Sequence, residues 1–107
     1  MSIYISGPMT GLPDFNYPAF EEALKRLTAA GLRCVSPHTL HGDAAKTSTW
    51  SDFLRRDVKA MMDCSALVML PGWENSRGAQ LERLIAEKLN IAVFESLEEL
   101  IPCLSVV

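Results

Sequence analysis

Apolar positions along the chain follow two periods in turn. Ile3-Tyr4-Ile5 is a short β-favouring run that ends in Ser6-Gly7-Pro8-Met9-Thr10-Gly11, where Gly and Pro break regular structure. The pattern predicts a strand followed by a loop. Phe20, Ala23, Leu24 and Leu27 then recur at helical spacing, with Glu21, Glu22, Lys25 and Arg26 away from that stripe. Pro18 suits the first turn of this helix, Asn16 or Tyr17 lies near its cap, and Gly31 supplies the stop. Leu32 to Val35 reads as a second strand, and the polar, aperiodic stretch from Ser36 to Thr49 as a loop. The helical period returns from Trp50 to Met62, with Ser48, Thr49 or Ser51 as caps. Ala66 to Leu70 is a continuous apolar run, as expected of a strand covered on both faces. A helix from Arg77 to Leu89 with Asn90 at its end follows, then a strand from Ile91 to Phe94. Ser96 caps a last short helix, Leu97 to Ile101, expected to stop before Pro102.

Strands alternating with helices imply a parallel sheet, here of four to five strands, with helices on both faces. The predicted fold class is therefore α/β, a Rossmann- or flavodoxin-like three-layer sandwich. Ligands in such sheets bind beyond the carboxyl ends of the strands, which places a site among the loops Ser6–Gly11, Ser36–Thr49 and Pro71–Ser76. The 107 residues fit a single domain, and 49% apolar with 21% charged residues is the profile of a soluble globular chain. A formal net charge of −3 gives no electrostatic footprint for nucleic acid or an anionic membrane, while a small anionic ligand needs only local donors. Three widely spaced cysteines, Cys34, Cys64 and Cys103, argue against a disulfide framework. With no leader pattern and no apolar stretch of spanning length, a cytoplasmic setting is expected.

The candidate chemistry comes from carboxylates on inward faces. In the helix after Ser76, the apolar side comprises Gly78, Ala79, Leu81, Ile85, Ala86 and Leu89, and Glu82 lies in the middle of that arc. In the preceding helix, Asp57 sits at the centre of a face defined by Trp50, Phe53, Leu54, Val58 and Met61. The first helix carries no such intrusion. Burying an unpartnered carboxylate is costly and raises its pKa, so two of them near a ligand edge point to acid/base or nucleophile work. The plainer alternatives are a Glu82 satisfied within the core and an Asp57 paired with Arg56 or a capping group. Ser76 is a good N-cap; its hydroxyl, the following amides and the helix dipole also suit a phosphate, and Gly78 permits close approach. Tyr4 is either core or catalytic, and Trp73 either stacks on a base or covers the sheet. His38 and His41 form an H-x-x-H with too few further ligands for a metal site, so no metal and no cofactor are expected.

Tyr4-Ile5-Ser6-Gly7-Pro8-Met9-Thr10-Gly11, Asp57, the segment Asp63 to Trp73, and Ser76-Arg77-Gly78-Ala79-Gln80-Leu81-Glu82 together resemble the nucleoside 2-deoxyribosyltransferase superfamily. They are most similar to its short bacterial and phage members, over roughly Ile3 to Phe94. The superfamily includes deoxynucleoside monophosphate N-hydrolases. The resemblance implies that Glu82 is the catalytic nucleophile, that Asp57 contacts the base and assists its departure, and that Tyr4 orients the glutamate. Ser6, Gly7, Trp73, Ser76 and Gly78 become substrate-binding positions. Ser76 stands where the transferases carry an aspartate for the 5′-hydroxyl and the monophosphate hydrolases a serine. A serine donates to a phosphate that an aspartate would repel, which favours a nucleotide over a nucleoside. The resemblance also implies a homodimer or larger homo-oligomer, since sites in this superfamily are often completed by a neighbouring subunit. Two alternatives stay open: a nucleotide-binding module of the same fold without turnover, and a TIR-like protein using its glutamate on NAD.

Overall fold

β1 (Ser2–Ser6) turns Ile3 and Ile5 to one face of the sheet and Tyr4 and Ser6 to the other, and this alternation divides the whole core. The computed structural model describes residues 2–9, 11–41 and 49–104. Thr10, Ser48 and the rest of the stretch 42–48 lie outside the described residues, as do the side chains of His41 and Cys103. After β1 come α1 (Tyr17–Ala29), β2 (Arg33–Val35), α2 (Pro37–His41), α3 (Trp50–Met62), β3 (Ala66–Met69), α4 (Arg77–Lys88), β4 (Ala92–Phe94) and α5 (Leu97–Leu104). The four strands form one all-parallel sheet in the order β2-β1-β3-β4, with Tyr4 paired to Val35 on one side and to Leu67 on the other.

Ile3, Ile5 and Val68 pack with Phe20, Ala23 and Leu27 of α1 and with Leu97 and Leu100 of α5. Tyr4, Leu67 and Met69 pack on the opposite face with Met61 of α3 and with Ala79 and Ala86 of α4. The result is the three-layer α/β sandwich expected of the alternating pattern, a Rossmann-like fold. Its strand order matches the beginning of the flavodoxin-like order.

Local chemistry fixes most of the element ends. α3 begins with a capping box in which the Thr49 hydroxyl accepts from the Asp52 amide at 3.2 Å and the Asp52 carboxylate accepts from the Thr49 amide at 3.0 Å. α1 closes on Gly31 at φ 84°, with the Leu32 amide donating to the Leu27 carbonyl at 3.0 Å. Asn90, at φ 60°, closes α4 in the same way, through a 2.8 Å bond from the Ile91 amide to the Ala86 carbonyl.

Two elements differ from the sequence pattern. Pro37–His41, expected within a loop, forms α2, a helix of five residues that is too short to display an apolar period. α5 continues through Pro102 to Leu104 rather than ending before it. The missing proline N–H removes only the helical bond to the Glu98 carbonyl, and Glu98 is exposed to water.

Candidate active site

The chain passes from β1 to β2 on one side and returns to β3 on the other, so a crevice opens at the carboxyl ends of β1 and β3. Gly7 follows β1 into this cleft, Asp57 enters from α3, and Ser76, Gly78 and Glu82 enter from the start of α4. Gly7 is required by packing. A Cβ there would stand 2.8 Å from the Leu70 Cβ, a backbone-anchored atom that cannot rotate away.

Glu82 is the centre of the site. It is 5% exposed, and each of its oxygens accepts a hydrogen bond from a fully buried hydroxyl. Tyr4 donates to Oε2 at 2.8 Å and Ser6 donates to Oε1 at 2.7 Å. Tyr4 and Ser6 are two residues apart on one strand and therefore face the same way, while α4 is held over them by the small residues Ala79 and Ala86. Burial pushes the Glu82 carboxyl up from 4.5 to about 7, against the two hydroxyl bonds that hold it down, and the charge of nearby Asp57 adds to the rise. The Tyr4 phenol is driven well above its ordinary range, first by burial and then by the charges of Glu82 and Asp57. Asp57 itself is 8% exposed and lines the cleft with Glu82.

The sequence-derived positions divide as follows. Tyr4, Ser6, Asp57 and Glu82 come together, and Gly7, Ser76 and Gly78 line the cleft. Ser6, expected to hold substrate, instead directs its hydroxyl to Glu82. Ser76 caps α4, its Oγ accepting from the Ala79 amide at 3.2 Å; the hydroxyl retains its own proton for a further acceptor. Trp73 is displaced from the expected role. Its ring packs beneath Arg83, 4.5 Å from the guanidinium carbon, and it is not among the cleft residues. The cleft's indole is that of Trp50, which carries Arg77 over its ring at 4.3 Å. Phe15, Tyr17 and Phe53 complete an aromatic lining that the sequence reading did not single out. The available signal was positional: Trp50, Phe53 and Asp57 share one helical face at the carboxyl edge of the sheet. Among the described residues no group of three His, Cys, Asp or Glu side chains is arranged to hold a metal ion. No helix of the described residues is long and apolar enough to cross a membrane.

Fold and site together define a Rossmann-like α/β protein with a buried, hydroxyl-bonded glutamate and an aspartate in a cleft at its switch point. The chain belongs to the family described as a domain of unknown function, DUF4406, whose profile matches residues 1–95. That range holds all four strands and every cleft residue named above, and it stops short of α5. No curated protein matches the chain.

Proposed function

We propose that this protein breaks or transfers the N-glycosidic bond of a nucleoside 5′-monophosphate, as a deoxynucleotide N-glycosidase of the 2-deoxyribosyltransferase type, with Glu82 as nucleophile. The observation that carries the reading is the placement of Glu82 at 5% exposure, with Tyr4 and Ser6 bonded to its two oxygens and Asp57 in the same cleft. Cleaving a glycosidic bond develops positive charge on the sugar, which a carboxylate captures, and negative charge on the base, which an acid relieves. A carboxyl that titrates at about 7 is ionised in about half the molecules at neutral pH.

In the proposed reaction the Glu82 carboxylate forms a bond to C1′ as the C1′–N bond breaks and its electron pair goes to the base. Asp57 contacts the base and assists its departure, and a water in the cleft supplies the proton that neutralises it. The hydroxide formed from that water attacks C1′, and Glu82 leaves as the free carboxylate. A second base in place of water gives transfer. The phosphate is assigned to Ser76 and the first amides of α4, where the helix dipole favours an anion. A homodimer or larger homo-oligomer is part of the proposal, and light scattering on the purified protein tests that element separately.

The deciding experiment incubates the protein with a panel of deoxy- and ribonucleoside 5′-monophosphates, the matching nucleosides and NAD, and follows free base by chromatography. Base release from monophosphates that is lost in Glu82→Ala is expected. No release above that control overturns the enzyme reading, and a nucleotide bound but left intact favours a binding module. Faster reaction of nucleosides than of their monophosphates overturns the role of Ser76, and nicotinamide release marks an NAD-cleaving protein.

A further inference from the structure

We propose that Phe15 is the platform on which the base of the nucleotide stacks, so that its ring sets the requirement for a flat heteroaromatic group at C1′. The inference rests on the nucleotide reading of the cleft and adds to it a specificity-determining residue outside the motifs that carry the resemblance.

The backbone that presents Phe15 is unusual. Asp14, Phe15 and Asn16 lie consecutively in the left-handed region, at φ 51°, 52° and 59°. Asp and Asn visit that region, whereas a bulky phenylalanine there is an outlier. Three such residues in succession persist only where surrounding contacts hold them. Here the Asn16 side-chain amide donates to the Pro8 carbonyl at 2.9 Å, and the Phe15 amide donates to the Leu12 carbonyl at 3.0 Å. The first bond ties the turn to the loop after β1, the same loop that delivers Gly7 to the cleft.

Packing does not account for the strain. Phe15 lines the cleft and yet is 53% exposed. Among the described residues its ring neighbour is Tyr17, with centroids 6.0 Å apart and planes at 43°, a tilted contact that lays no ring flat on the phenylalanine. Trp50, which also lines the cleft, differs in this respect, because Arg77 already lies over its ring at 4.3 Å. An apolar ring held half in water offers nothing to a phosphate or to sugar hydroxyls. It suits a flat group with a π-face, and the base is the part of a nucleotide that has one. Ser76 and Glu82 enter the cleft from α4, and Phe15 enters from the turn before α1. In the proposed reaction α4 therefore serves the phosphate and C1′, and the turn serves the base. Because the tie from Asn16 to Pro8 presets the turn, the ring needs no ordering when the base arrives.

Comparing ligands with and without a base tests this. Titration calorimetry in a Glu82→Ala background, which keeps the nucleotide intact, measures the most tightly bound deoxynucleoside 5′-monophosphate and 2-deoxyribose 5-phosphate. Phe15→Gly removes the ring and suits the left-handed backbone, so the turn keeps its shape. It is expected to weaken the nucleotide by roughly 5- to 150-fold, the range for a base that loses an aromatic partner. The sugar phosphate is expected to change by less than about threefold, and Phe15→Tyr, which restores an aromatic face, to stay within about threefold on both ligands. The ratio of the two dissociation constants does not depend on how much of a variant is folded. Equal losses on both ligands, as a structural role would give, overturn the proposal, and so does an undiminished affinity for the nucleotide or a parent protein that binds none. Base release by the wild type is scored separately. A nucleotide that is bound through Phe15 but never cleaved supports the platform and overturns the N-glycosidase reading, while cleavage that persists with a normal KM in Phe15→Gly overturns the platform alone.

Discussion

Replacing Glu82 by Gln is expected to make the protein more stable, and only above acidic pH. The carboxyl is raised from 4.5 to about 7 in the fold, chiefly by burial. A folded-state pKa above the unfolded one means that the native state holds the proton more tightly. The stability this group contributes is therefore complete below about pH 4.5 and is lost as pH rises through about 7. At about 1.4 kcal/mol per pH unit the loss amounts to roughly 3 kcal/mol. A Gln has nearly the same shape and no charge to desolvate. Its carbonyl accepts from one of the two hydroxyls, and the other hydroxyl can turn to accept from its amide. Urea unfolding followed by the fluorescence of Trp50 and Trp73 should show wild type and variant within about 0.5 kcal/mol near pH 4.5, and the variant ahead by about 2–3 kcal/mol at pH 8.5. A variant less stable at every pH, or a gap that does not change with pH, refutes the reasoning. Such a result would mean that the hydroxyl bonds outweigh the desolvation of the charge.

Ser6→Ala removes the 2.7 Å bond that stabilises the Glu82 carboxylate, so the carboxyl should titrate higher. One hydrogen bond to a charged group corresponds to about one to two pH units, so the acid limb of base release should move from near pH 7 to roughly 8–9. The rate at pH 7 should fall about 5- to 50-fold and recover in alkali; a loss that is the same at every pH would show that Ser6 acts otherwise. Gly7→Ala places its new Cβ 2.8 Å from the Leu70 Cβ, and should destabilise the fold, measured as a lower urea midpoint at unchanged slope. Overpacking of this kind costs about 1–3 kcal/mol, and no change in midpoint would mean that the ends of β1 and β3 yield freely.

Much of the fold is legible in the sequence because its signals are local. The limits of α3 follow from a capping box and a sustained period, and the ends of α1 and α4 from Gly31 and Asn90, residues that tolerate a positive φ. The inward phase of Glu82 and Asp57 is equally local, since a helix fixes the direction of each side chain relative to its neighbours. The rest depends on distance. No periodicity reveals that Ser6 bonds to Glu82, because the two are 76 residues apart in the chain. Trp73 follows a strand at the ligand edge, as a stacking residue would, yet Arg83 from α4 covers it. The left-handed run escapes detection for a different reason. Asp14 and Asn16 are residues that visit that region, but Phe15 between them is not, and only the tie from Asn16 to Pro8 makes the turn hold.

The same geometry explains why the chemistry of the cleft is tied to the packing of the core. β1 is a central strand, with β2 on one side and β3 on the other, and it supplies both hydroxyls that face Glu82. α4 lies close enough for the glutamate to reach them because its buried face otherwise carries Ala79 and Ala86. A larger residue at either position would lift the helix, draw the carboxylate away from β1 and lengthen both bonds while keeping the glutamate itself. Its proton affinity would then rise, since burial would act with less opposition from Tyr4 and Ser6. The carboxyl is thus tuned by how closely a helix sits on a strand. Substitutions well removed from any ligand, on the buried side of α4, should therefore move its titration before they disturb the shape of the cleft.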